Sequence, residues 1–178
     1  VQTGFGRTGS FWGHEQSGVI PDILTIAKGM GGGMPIGAFI SSKEIMNTLT
    51  HHPVLGHITT FGGHPVCCAA SLACVNAIEE EGLLKGIDEK EGLFKKYLKH
   101  PSIIEVRGVG LLLCVEFENS EFNFKVIEES VKRGVITDWF LFNDKCLRIA
   151  PPLIITNDQI KTACQSIVEA IEAVTENE

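Results

Sequence analysis

Basic residues are in short supply: 15 Lys and Arg stand against 22 Asp and Glu, for a net charge of −7. That balance excludes the broad positive footprint that nucleic acid or an anionic bilayer would need, and it favours a small-molecule partner. The six cysteines include no pair at the two-residue spacing of a zinc or redox motif. Set mostly inside apolar runs, they read as free, largely buried thiols in a reducing, cytoplasmic setting. The longest apolar run, from Val66 to Ile78, is shorter than the roughly 20 residues that cross a bilayer, and no basic segment precedes an apolar one. No repeat or low-complexity tract interrupts the chain. It opens at Val1, directly within a patterned segment, as a piece of a longer protein would.

At 178 residues and 44% hydrophobic content, one or two globular domains are expected. Residues 1–18 alternate glycine with Phe5, Phe11 and Trp12 without periodicity, which suggests a packed loop. Ile23 to Ala27 is a short apolar run of the type found in fully covered parallel strands. A second strand is expected over 36–41, a short helix over 43–49 and a glycine-bounded loop over 57–63. A helix from Pro65 to Glu81, apolar around most of its circumference, should be buried. Beyond Gly82 the pattern is an α+β unit: helix 87–98, strands 103–107 and 111–118, helix 122–133, strands 135–142 and 146–149, and a last helix. Thr156 and Gln159 form a capping-box signature for that last helix, expected to end near Ala173.

Lys28 closes the run of 23–27 and is followed by Gly29, Gly31, Gly32 and Gly33. Open α/β sheets present catalytic groups to a ligand crevice at such a strand end. In dry surroundings the amine would lose its proton more easily and attack an aldehyde, while the glycines let a cofactor approach the backbone. On position alone, a solvated lysine ending a strand is the commoner case.

The stretch ILTIAKGMGGGMPIGAF is similar to the segment around the cofactor lysine of class III aminotransferases, the acetylornithine, ornithine and 4-aminobutyrate group. VQTGFGRTGSFW, HITTFGGHP and LRIAPPLIIT resemble further family segments in the same order, so the likeness spans nearly the whole chain. It implies fold type I, an α/β architecture: residues 1–78 as the C-terminal part of a large cofactor-binding α/β domain, and 79–178 as a small C-terminal α+β domain. It implies pyridoxal 5'-phosphate as cofactor and Lys28 as the Schiff-base residue and proton shuttle. Gln2 would contact the cofactor's phenolic oxygen, and Thr60 the cofactor phosphate of the neighbouring subunit in a homodimer. Arg148 would grip the α-carboxylate of glutamate or 2-oxoglutarate with its planar fork, a structural salt bridge being the plainer role for it.

Amino groups would pass from an amine or amino acid resembling N-acetylornithine or ornithine to a 2-oxo acid. Decarboxylation or amino shift on the same fold is the nearest alternative. The family aspartate that holds the pyridine nitrogen would lie two positions before Val1, so the chain by itself is expected to be inactive. Arg107 receives a structural role; Cys114 replaces a small residue, and His64 an asparagine, of many relatives. Gly4, Gly6 and Gly9 meet the bare dinucleotide spacing and Asp22 follows at a passable distance, but no helix pattern follows the glycines. His51, His52, His57 and His64 lack the paired spacing of metal ligands, and no metal site is expected.

Overall fold

The computed structural model describes residues 1–176, which divide into two compact units, Val1–Leu84 and Lys85 onward. The first unit opens as a run of turns closed by a 3₁₀ turn at Gly13–Ser17. Trp12 packs edge to face on Phe5 and Phe11, which are tilted against each other, with ring centroids 4.8 to 5.5 Å apart. Strand β1, Ile23–Ile26, pairs with β2, Ala38–Ser41, and between them lies a second 3₁₀ turn, Lys28–Gly31. Helix α1, Lys43–Asn47, is capped by Ser42 Oγ, which accepts from the Ile45 N–H at 3.3 Å. Helix α2, Pro65–Glu80, closes the unit.

Two expectations change here. The pair β1–β2 is antiparallel and two-stranded, because the glycine-rich link turns the chain straight back on itself, and Ile23 remains 52% exposed. Helix α2 buries only Cys67 and Ile78, while Leu72 is 62% exposed. Its apolar circumference is real, but this unit covers one side of it. The core is correspondingly small: Phe5, Ile26 and Ile78, with Leu24, Met30 and Val75 packed against them.

The second unit is a two-layer sandwich. Helix α3, Ile87–Tyr97, leads to β3, Glu105–Val109, and β4, Leu112–Glu116. Helix α4, Ser120–Lys132, is followed by β5, Asp138–Phe140, β6, Asn143–Ile149, and α5, Asn157–Thr175. The strands form one antiparallel sheet in the order β3-β4-β6-β5. Strand alternation sends Leu113, Val115, Leu147 and Ile149 into a core shared with Phe94, Val126, Ile160, Ile167 and Ile171. Each such side chain, fully buried, contributes about 1.5–3 kcal/mol. The expected strand 135–142 shrinks to three residues because the Val135 N–H still closes the end of α4 on the Ser130 carbonyl at 2.9 Å, while Leu141 and Phe142 make the turn into β6. Thr156 and Gln159 cap α5 reciprocally, with the Gln159 N–H donating to Thr156 Oγ1 at 3.2 Å and Thr156 N–H to Gln159 Oε1 at 2.9 Å. Among the described residues no helix is long and apolar enough to cross a membrane.

Candidate functional site

Lys28 sits where β1 ends, and its backbone is left-handed, with φ 52°. A side-chain-bearing residue held there costs about 1–2 kcal/mol relative to the right-handed region. Such strain persists only where the surroundings fix the backbone, and it gathers at functional positions. The surroundings are visible. A Cβ on Gly29 would lie 3.2 Å from the Phe5 Cβ, and one on Gly32 would lie 3.1 Å from both the Ala70 carbonyl oxygen and the Cys74 Cβ. Cys74 Sγ also donates to the Gly29 carbonyl at 3.2 Å. The turn after Lys28 is therefore clamped between the aromatic cluster and α2, and Met30 N–H to Ala27 O (3.2 Å) and Met34 N–H to Gly31 O (3.0 Å) close it. The lysine side chain itself is exposed, so these residues do not supply the dry surroundings that would activate it.

Gln2 is exposed three residues before Phe5, in the loop whose aromatic ring rests on Gly29. The structure thus joins the first and second sequence motifs through one contact. Thr60 is exposed in the turn held by Gly62 N–H to Thr59 O (3.3 Å) and His64 N–H to Phe61 O (3.3 Å), directly before α2. The three motifs of the first unit present a primary amine, an amide and a hydroxyl, the donor types that suit an aldehyde, a phenolic oxygen and a phosphate.

Arg148 lies on β6 opposite Asp138 of β5, and its Nη2 meets Asp138 Oδ2 at 3.2 Å. Both side chains are part-exposed, at 34% and 46%. Thr137 Oγ1 donates to the Arg148 carbonyl at 2.7 Å and fixes the strand end. Arg148, Thr137, Asp138, Pro151, Pro152 and Ile155 line a cavity of about 350 Å³ in this unit. The structural salt bridge and a place in an open pocket therefore coexist at one guanidinium. The pair leaves further N–H groups of the five-donor fork to address a carboxylate.

Arg107 has the structural place assigned to it: it pairs with Glu116, and with Glu105 at 3.5 Å, while Lys145 reaches Glu116 at 2.8 Å. Lys145 first, then Arg107, hold the Glu116 carboxyl below its ordinary value. Sequence reasoning missed Asp138 as the partner of Arg148, and Phe5 and Cys74 as the clamp on the turn. An acidic residue in a strand expected to neighbour that of Arg148 was the available signal for the first. Nothing local marks the clamp, which depends on contacts 24 and 45 residues apart in the chain.

Residues 1–171 match the aminotransferase class-III family, and the chain belongs to it, with the fold type I architecture. It is 37% identical over 179 residues to an acetylornithine aminotransferase of Caldanaerobacter subterraneus subsp. tengcongensis, covering 98% of this chain and 44% of that protein. It is 43% identical over 166 residues to a putrescine aminotransferase of Pectobacterium atrosepticum, covering 89% of this chain and 35% of that protein. Among solved structures, a transaminase from the marine bacterium Virgibacillus matches with a TM-score of 0.89 at 33% identity, over 98% of this chain and 44% of that one. The ornithine aminotransferase of Toxoplasma gondii, solved with partial occupancy of pyridoxal phosphate at its active site, matches with a TM-score of 0.88 at 30% identity, over 99% and 42%. The chain thus spans less than half the length of these relatives.

Proposed function

We propose that this chain carries the cofactor-anchoring and carboxylate-binding parts of a pyridoxal-phosphate-dependent aminotransferase, moving amino groups between an amine or amino acid donor and a 2-oxo acid. The observation that carries the reading is Lys28, held at the end of β1 in a strained left-handed conformation by a turn clamped on both sides. Bound cofactor would supply an electron sink that makes the substrate's α-proton removable. In this reading Lys28 anchors the cofactor's aldehyde carbon through its amine, then takes and returns a proton at the substrate carbon. Gln2 donates to the phenolic oxygen, and Thr60 serves the phosphate of the neighbouring subunit's cofactor in a homodimer. Arg148 grips the substrate carboxylate, with Asp138 orienting its fork between turnovers. Because Lys28 is exposed, the reading has it desolvated only where further protein surface covers the site, and the chain by itself is inactive.

The test is chemical trapping. The chain, and a longer chain extended by the upstream half that its relatives carry, are each mixed with pyridoxal phosphate and reduced with borohydride, and the labelled lysine is located by mass spectrometry, with Lys28→Ala as control. Label concentrated at Lys28 in the longer chain and lost in Lys28→Ala is the expected result, with none of that selectivity in the chain alone. Label in the longer chain spread evenly over the lysines, or absent from Lys28, would remove the assignment.

A further inference from the structure

The sheet of the second unit carries two thiols that the carboxylate reading leaves unused. Cys114 on β4 is the register partner of Arg148, and Cys146 on β6 that of Glu116, so the thiols are diagonal neighbours on the face turned away from the main core. Cys114 is 7% exposed and Cys146 1%. Both line a cavity of about 330 Å³ walled by Leu112, Phe140 and Phe142 and floored by Arg107. Arg107 Nη2 donates to Cys146 Sγ at 3.7 Å.

Diagonal positions on an antiparallel pair are about 7–8 Å apart, whereas disulfides join Cα atoms about 4.4–6.8 Å apart. Direct oxidation to a disulfide would have to pull the strands together. An ion bridging two sulfurs at about 2.3 Å each spans the longer gap without that movement. Among the described residues no three of His, Cys, Asp and Glu gather as metal ligands, so such a site has two donors. Thiolate pairs select soft ions.

We propose that Cys114 and Cys146 form a two-thiolate site for a soft, singly charged d¹⁰ cation of the copper(I) type, with Arg107 donating a hydrogen bond to the Cys146 sulfur. Both thiols give their protons to solvent, two metal–sulfur bonds form and no electron is transferred. Two thiolates and one monovalent cation leave a charge of −1 beside the guanidinium. Arg107 and Lys145 stand against Glu116 and the exposed Glu105, so this network is neutral before an ion binds, and the guanidinium contributes its N–H to the Cys146 sulfur. Burial, and next Cys146, push the Cys114 thiol up to about 12, so the arriving cation must displace the proton, and affinity falls as pH falls.

The experiment is an anaerobic copper(I) titration of the full chain against a colorimetric copper(I) chelator, read beside X-ray absorption of the one-equivalent complex. Expected are one tight equivalent, a first shell of two sulfurs, and a loss of affinity of at least about tenfold in Cys114→Ser and in Cys146→Ser but not in Cys68→Ser. Survival of the tight equivalent in both variants, nitrogen in the first shell, or a Cys114–Cys146 disulfide formed by air without metal would each overturn the proposal. Where a serine variant loses its circular dichroism, maleimide footprinting of the unaltered chain decides. One equivalent must slow alkylation at Cys114 and Cys146 relative to Cys68 and Cys164, and uniform slowing, or none, refutes the site.

Discussion

Gly18 and Gly32 make a matched pair that tests whether the turn behind Lys28 is clamped by packing or merely bent by its backbone. Both end a 3₁₀ turn in the left-handed region, at φ 64°, ψ 17° and φ 55°, ψ 33°, and both donate their N–H to the carbonyl three residues back. A methyl group on Gly18 meets nothing within 4 Å, while one on Gly32 lies 3.1 Å from the Ala70 oxygen and the Cys74 Cβ. Gly18→Ala should therefore cost only the left-handed strain of about 1–2 kcal/mol, less a gain of about 0.4–1 kcal/mol from a stiffer unfolded chain. Gly32→Ala adds overpacking against helical backbone, about 1–3 kcal/mol, so it should cost about 1–3 kcal/mol more than Gly18→Ala. Urea denaturation of both variants, followed by Trp12 fluorescence in a Trp139→Phe background, measures the difference at constant m-value. Trp12 reports the right unit because it packs on Phe5, the residue that touches Gly29. Equal costs for the two substitutions would show that Gly32 is chosen for its φ alone, and the clamp would be discarded.

Asp138→Asn should lower stability by less than about 1 kcal/mol, since both members of the Arg148 pair are part-exposed and screened; a larger loss by denaturation would make the pair structural and weaken its place beside a substrate. Glu116 is held below its ordinary pKa of 4.5 by Lys145 and Arg107, so its stabilisation is full above that value and disappears as pH falls through the lowered folded value. Glu116→Gln should flatten the fall of Tm as pH is taken below 4.5, and an unchanged slope would exclude Glu116 as its source.

Short-range patterning carried far into the structure. Thr156 and Gln159 form the reciprocal cap that their three-residue spacing implies, because a capping box is built from neighbours in the chain. Strands β4 and β6 were legible as apolar runs; three of their four ends shifted, by one to three residues, and Ile149 ends β6 as expected. The family likeness rested on contiguous motifs, and the match over residues 1–171 upholds it. Burial was misjudged where it depended on what lies across from an element. Helix α2 is apolar around most of its circumference, yet its hydrophobicity does not name the surface that covers it, and Leu72 faces solvent.

Sequence alone determined which residue types stand at which strand and helix ends: the lysine after an apolar run, the glycines behind it, the arginine before two prolines. It could do so because propensity, capping and turn chemistry act over a few residues. Only the tertiary structure decided that Lys28 is held left-handed, that Phe5 and Cys74 grip the turn behind it, that Asp138 meets Arg148 and that Cys114 and Cys146 line one cavity. Those are contacts between distant segments, fixed by strand register and by the packing of side chains into the remaining space, and no local pattern encodes either.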